Sequence, residues 1–211
     1  MNIFDEAYKA RPFLFGKICT EELSFVVDKF HITGGALELG CGDGRDTCHM
    51  VKSGFTVKAI DKSENAIATL CKREDLSHEE KKRLVAISAD VNMVDLASEM
   101  FDFIYSVTLF DHLSYEDGAN LLNRIWKNLR LGGFFFTKVH TVDDVGYTHK
   151  SLEISEFASE IKHYYKRNEL LQSNFSRGTV LYYLENTELD LDHGAPHYHA
   201  FATILIRKDG N

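Results

Sequence analysis

Proline is almost missing from this 211-residue chain, which has only Pro12 and Pro196. Rigid proline-rich linkers are therefore excluded, and with no low-complexity tract or internal repeat nothing marks a boundary between domains. Cysteine is also sparse. Cys19, Cys41, Cys48 and Cys71 include no C-x-x-C pair and are expected to be reduced thiols in a cytoplasmic protein. No apolar run is long enough to span a bilayer, and Met1-Asn2-Ile3-Phe4-Asp5-Glu6 lacks the basic and apolar regions of a signal peptide. A membrane partner is thus not expected. Positive charge is the other shortage: 24 Lys plus Arg face 32 Asp plus Glu, a formal charge of −8. That balance disfavours a nucleic-acid backbone as the main partner.

What the chain does have is apolar residues, 44% of the total, enough for the core of one α/β domain. Strand-like runs are expected near 36–40, 56–61, 84–90, 102–107 and 134–140, each separated by a helix-compatible stretch. Such alternation predicts a parallel sheet with helices on both faces. Ser63 and Ser114 are placed to cap the helices that follow them, and Gly132-Gly133 is read as the end of the second of these helices. Two further strand-like runs, 179–184 and 199–206, have no helix between them and are expected to pair as an antiparallel hairpin. A segment before residue 34, with an amphipathic run at 21–30, is expected to cover one end of the sheet. The expected organisation is a single domain over 1–211, with a helical cover at 1–33 and a Rossmann-like core at 34–211.

The most informative stretch is Ala36-Leu37-Glu38-Leu39-Gly40-Cys41-Gly42-Asp43-Gly44-Arg45, followed by Asp61 at the end of the next apolar run. Alternate glycines after a buried strand allow a sharp turn and let backbone N–H groups approach a ligand. A carboxylate at the end of the neighbouring strand can accept both hydroxyls of a ribose. The dinucleotide fingerprint G-x-G-x-x-G would require a third glycine where Arg45 stands. Glu38, two residues before the first glycine, would repel a diphosphate and attract an ammonium group.

The pattern Glu-x-Gly-x-Gly-x-Gly resembles the first motif of class I S-adenosylmethionine-dependent methyltransferases, and over residues 36–208 the chain looks closest to the tellurite-resistance and thiopurine-methyltransferase-like small-molecule group. The resemblance implies a doubly wound seven-stranded sheet, mostly parallel, with an antiparallel C-terminal strand. It implies S-adenosylmethionine as cofactor, S-adenosylhomocysteine as product, and a small-molecule acceptor carrying a thiol, metalloid, hydroxyl or amine. By the same resemblance Gly40, Gly42 and Gly44 cradle the methionine part, with Cys41 lining the loop and Glu38 ordering it or approaching the amino group. Asp61 would bind the ribose; Lys62 would border the adenine, Asp90 would accept from its amino group, and Val91 would lie beside it. Ser106 and Val107 would pass the methionine arm, and Arg11 is a candidate for the cofactor carboxylate. Tyr105-Ser106-Val107-Thr108 departs from the Asn-Pro-Pro-Tyr type of motif, which weakens DNA bases and protein glutamine as acceptors.

Ten histidines are present, and several fall where an acceptor would bind. His112, His197 and His199 are the candidate catalytic residues; Asp111, His112, His193, His197 and His199 are the candidate acceptor-binding residues. The hairpin imidazoles could ligate a metal, bind or deprotonate the acceptor, or be structural. They lack the fixed spacing of a zinc signature, and no metal ligand is assigned. Phe13, Phe15, Tyr147 and Tyr198 are candidate pocket walls. Two other readings stay open: a cofactor-binding sensor or interaction protein without transfer activity, and a nicotinamide-dependent oxidoreductase, which Glu38 and Arg45 disfavour. Oligomeric state is not indicated.

Overall fold

The computed structural model describes residues 3–96, 99–148, 157–172, 175, 177–191 and 196–210. In chain order the elements begin with α1 (Ile3–Ala10), α2 (Glu21–Lys29), β1 (Gly35–Leu39), α3 (Arg45–Lys52), β2 (Thr56–Asp61), α4 (Glu64–Cys71), α5 (His78–Lys81) and β3 (Leu84–Ser88). They continue with β4 (Phe101–Val107), α6 (Tyr115–Asn128), β5 (Leu129–His140), α7 (Val145–Thr148), α8 (Glu169–Gln172), β6 (Thr179–Asp190) and β7 (His197–Arg207). One seven-stranded sheet has the order β3-β2-β1-β4-β5-β7-β6. The pairs among β1 to β5 are parallel, and β7 runs antiparallel to both β5 and β6. The chain order reverses beside β1, and this topological switch point places a ligand crevice at the carboxyl ends of β1 and β4.

Alternation along the strands builds two cores, one on each face of the sheet. Ile104 and Phe135 pack with Leu121, Leu122, Ile125 and Trp126 of α6. Phe103, Tyr105 and Phe136 point the other way, onto Leu23, Val26 and Val27 of α2 and Met50 and Val51 of α3. The N-terminal segment therefore has two functions. Helix α2 covers a sheet face, while Tyr8, Leu14 and Phe157 form a separate small cluster with Phe4 and Phe15 packed against it. Asp5 fastens α1 to the start of α4, accepting from the Ser63 hydroxyl at 2.6 Å and the Asn65 amide nitrogen at 2.8 Å.

Both expected caps form: the Ser63 hydroxyl accepts from Ala66 N–H and the Ser114 hydroxyl from Asp117 N–H. Three boundaries differ from expectation. β3 stops at Ser88, so Asp90 lies in the following turn, where its carboxylate accepts from Asn92 N–H. Gly132 and Gly133 do not terminate α6, which ends at Asn128; they fall inside β5. Gly132 has φ of +77° and its N–H donates to Lys208 O, so the pair lies in a bulge where the β4–β5 register shifts. The hairpin is also longer than expected, with Asp190 opposite His197. Among the described residues, no helix is long and apolar enough to cross a membrane.

Candidate functional site

A cavity of about 620 Å³ runs along the carboxyl edge of the sheet. Its first half is organised by the turn from β1 into α3. Gly40, Gly42 and Gly44 have φ of +74°, +52° and +89°, the left-handed region in which an L side chain is strained. Space is restricted too, since a Cβ on Gly42 would strike the Tyr8 ring system and one on Gly40 would crowd Leu109. Asp61 ties this loop to the end of β2, accepting from Gly42 N–H and from Ser63 N–H at 2.8 Å each. Burial raises the Asp61 pKa, and these two N–H groups oppose the shift.

Glu38 is buried beneath the loop and accepts from the Thr47 hydroxyl and, at 3.0 Å, from Tyr105 on the adjacent strand. Burial and the neighbouring Asp46 carboxylate push its pKa up to about 8. Arg45, the first residue of α3, joins the loop to the N-terminal cover. Its guanidinium donates to Phe15 O at 3.3 Å, Thr20 Oγ1 at 2.8 Å and Asp46 Oδ2 at 3.1 Å. Asp46 in turn accepts from Thr20 N–H at 2.7 Å. The sequence pattern marked Arg45 as an argument against a dinucleotide but gave no hint of this clamp, because its partners lie 25 to 30 residues earlier.

The second half of the cavity is lined from the ends of β5, β6 and β7. His140 ends β5, and its Nδ1 is 2.8 Å from Asp111 Oδ2. Asp111 Oδ1 also accepts from His140 N–H. His199 lies on β7 with Nδ1 2.8 Å from Asp144 Oδ2, and Asp144 additionally accepts from Ala200 N–H at 2.9 Å and Gly146 N–H at 2.7 Å. The two imidazole centroids are 5.0 Å apart. Burial opposes charge on His140, but the Asp111 carboxylate outweighs it and raises the pKa; on His199 burial prevails and lowers it. Lys138 is buried beside them, 2.9 Å from Glu22 and 2.5 Å from Glu188, and its ammonium stands 4.4 Å from the centre of the Phe201 ring.

Of the residues singled out in the sequence, Glu38, Gly40, Cys41, Gly42, Asp61, Lys62, Asp90, Val91, Val107, His112 and His199 line this one cavity. Phe15 lines it as well, while Phe13, Tyr147 and Tyr198 do not. His112 packs edge-on to Phe4, with Nδ1 3.0 Å from Glu160 O. The other candidates among the described residues lie off this lining. Arg11 is exposed and away from the lining. Gly44 is buried beneath the loop against Leu70, and Ser106 is fully buried with its hydroxyl 3.0 Å from Thr137. Asp111 is fully buried as well, and reaches the cavity through His140. His197 stands behind His199, with the two Nε2 atoms 3.0 Å apart. His193 lies outside the described residues. His140, Asp144, Lys138 and Glu188 were missed, since no short motif connects residues on β5, in the turn after it and on β6.

Comparison with known proteins agrees with this architecture. "Probable S-adenosyl-L-methionine-dependent methyltransferase TehB" of Haemophilus influenzae (strain 10810) is 29% identical over 173 residues, 82% of this chain and 56% of that protein. The chain thus spans about half the length of such a relative. Phosphoethanolamine N-methyltransferase 1 of Zea mays is 30% identical over 123 residues, 57% of this chain and 24% of that one. Among solved structures, TehB from Haemophilus influenzae superposes with a TM-score of 0.69 at 23% identity, covering 90% of this chain and 62% of that chain. The N-methyltransferase NodS of Bradyrhizobium japonicum WM9, in complex with S-adenosyl-L-homocysteine, gives 0.58 at 15% identity, covering 99% and 89%. These likenesses show the Rossmann-like methyltransferase fold. The family model described as "Tellurite resistance protein TehB" matches residues 5–188, most of the chain, and the protein belongs to that family.

Proposed function

We propose that this protein transfers the methyl group of S-adenosylmethionine to a small-molecule acceptor. The observation that carries the reading is the continuity of a single cavity from the glycine loop, Asp61 and Asp90 to His112, His140 and His199. Its volume lies within the range of roughly 300–1,000 Å³ typical of ligand sites, so a nucleoside cofactor and a compact acceptor can share it. The cofactor's methionine part would lie on Gly40–Gly42, its ribose hydroxyls on Asp61, and its adenine between Lys62, Asp90 and Val91. Each Asp61 oxygen accepts one backbone N–H and keeps lone-pair capacity for a ribose hydroxyl.

Transfer is a single in-line displacement: the acceptor's lone pair forms a bond to the methyl carbon as the carbon–sulfur bond breaks, leaving neutral S-adenosylhomocysteine. Alignment and exclusion of water are the protein's main contributions. Phe4, Tyr8, Phe15 and Phe157 line the cavity beside the loop and shield it. His112, His140 and His199 are the imidazoles placed to bind the acceptor or take its proton. A thiol needs little such help near neutral pH, whereas a hydroxyl or ammonium acceptor must lose a proton. The named N-methyltransferase relatives support including amines in the acceptor panel. The four unpaired cysteines support the cytoplasmic placement expected from the sequence.

The deciding experiment pairs calorimetric titration of S-adenosylhomocysteine with transfer of labelled methyl from S-adenosylmethionine to thiols, phenols, amines and metalloid oxyanions. Saturable binding and label in one acceptor class are expected. Binding without transfer to any class would favour a sensor, and stabilisation by a nicotinamide dinucleotide instead would overturn the reading.

A further inference from the structure

His140, Asp144 and His199 each offer one ligand atom within 4.8 Å of the other two, and all three residues are buried. Two imidazoles and a carboxylate facing a cavity form a donor set suited to borderline divalent ions, notably zinc and ferrous iron. The surrounding hydrogen bonds match what such a site requires. A ligating histidine generally has its second ring nitrogen fixed by an outer partner. His140 has Nδ1 held by Asp111, which leaves Nε2 to coordinate. His199 has Nε2 against His197 Nε2 at 3.0 Å, which leaves Nδ1.

That Nδ1 stands 2.8 Å from Asp144 Oδ2. With metal–ligand bonds of about 2.0–2.2 Å, two donors on one ion fall roughly 3 Å apart, so a metal can replace the proton now shared between them. Gly146 N–H and Ala200 N–H already orient the Asp144 carboxylate. Tyr164, which also lines the cavity, is a second and independent pointer to a ligand. This residue is 9% exposed, its hydroxyl has no hydrogen-bond partner among the described residues, and its ring centroid is 6.4 Å from that of His140.

We propose that His140, Asp144 and His199 bind one divalent transition-metal ion, with its remaining coordination positions open to the acceptor half of the cavity. His140 coordinates through Nε2, His199 through Nδ1, and Asp144 through a carboxylate oxygen; the neutral His199 ring then carries its proton on Nε2 and donates it to His197 Nε2. Asp111 and His197 are positioning residues. A thiolate, alkoxide or oxyanion of the acceptor is the class of donor that would complete the coordination. The metal site itself does not depend on methyl transfer, and only its use by an acceptor rests on that reading.

The test uses the full chain, stripped with a chelator and titrated with Zn²⁺ without cofactor, with Co²⁺ as a spectroscopic substitute. One equivalent of Zn²⁺ and visible ligand-field absorption from Co²⁺ are expected. His140→Ala and His199→Ala should abolish stoichiometric binding, while Asp111→Asn should weaken it by roughly 10–100-fold, as outer partners do. His78→Ala, at the start of α5, should leave it unchanged. S-adenosylhomocysteine binding and melting temperature verify folding, and His140→Gln and His199→Gln replace any alanine variant that fails. Lack of stoichiometric binding by the wild type, or retention of Zn²⁺ by folded His140 and His199 variants, would overturn the site. So would an ion lost in His197→Ala but kept in His140→Ala, which would mark a surface pair. Loss of S-adenosylhomocysteine binding in a wild type that still takes up Zn²⁺ would count against the methyl-transfer reading alone.

Discussion

The glycine loop and the carboxylate that anchors it lie within two consecutive β–α units, from Glu38 to Ser63, whereas the histidine half of the cavity is made from partners far apart in sequence. Gly42 and Asp61 are 19 residues apart; Asp144 and His199 are separated by 55, and Lys138 and Glu22 by 116. The difference is physical. A turn that must hold φ positive at alternate positions admits few residues but glycine, so local geometry leaves a signature in the local sequence. The histidine half needs only side chains that converge after the sheet has closed. Many sequences satisfy that condition, and none of them is marked by spacing.

The harshest way to break the cofactor half alone is Gly42→Val. A β-branched side chain at φ +52° is strained, and its Cβ would strike Tyr8. We expect loss of measurable S-adenosylhomocysteine binding together with a lowered melting temperature. Unchanged affinity in a folded variant would refute the loop geometry.

Next in size is Lys138→Met, which tests the opposite half. Lys138 and Glu22 have side chains only 4% and 7% exposed, and removing one member of a buried ion pair costs about 3–5 kcal/mol. Glu22 and Glu188 would be left facing each other without their shared cation. Denaturant unfolding should show that loss while cofactor affinity in the folded protein stays near wild type. A similar loss of cofactor affinity would show that the two halves are energetically coupled, and the comparison would fail.

Asp61→Ala is the milder probe of the cofactor half. It removes a ribose acceptor and the anchor of Gly42 N–H together, and should weaken S-adenosylhomocysteine binding by about 1.5–3 kcal/mol, the scale of hydrogen bonds to a charged group. Wild-type affinity by calorimetry would reject the ribose assignment.

These contrasts also explain how much was legible beforehand. The succession of strands along the chain, the terminal hairpin, the glycine turn and the place of Asp61 at a strand end were accessible because strand patterning and turn chemistry act over a few residues. Gly132-Gly133 misled because glycine ends helices and permits strand bulges equally well, and the partner that holds the bulge, the Lys208 carbonyl, is far away in sequence. His112 and His199 were recognised as functional candidates by residue type and position. Asp111 and His197 were singled out too, and stand one layer back from the cavity, against His140 and His199. His140 was invisible as a site residue, since it reads as the last position of an apolar strand. Arg11 was the candidate for the cofactor carboxylate and lies off the lining, whereas Arg45, read only as an argument against a dinucleotide, lines the cavity.

The smallest expected effect concerns Glu38, which belongs to the legible half but carries a charge state that no motif announces. Its folded pKa is about 8 against an ordinary value of 4.5, with burial as the first cause and Asp46 as the second. Between those values the folded protein holds a proton that the unfolded chain has released. By linkage, this group's contribution to stability falls as pH rises from about 4.5 toward 8 and is steady outside that window. Glu38→Gln, which imitates the protonated acid, should remove this slope, so that its melting temperature gains on wild type progressively across the window. If the cofactor's ammonium approaches Glu38, its positive charge should also expel the proton, and wild-type binding of S-adenosylhomocysteine at pH 7 should release protons and tighten toward pH 8. Titrations in two buffers of different ionisation enthalpy would measure that release. Equal heats in both buffers, for wild type and Glu38→Gln alike, would mean that Glu38 orders the loop through Thr47 and Tyr105 without meeting the cofactor's charge.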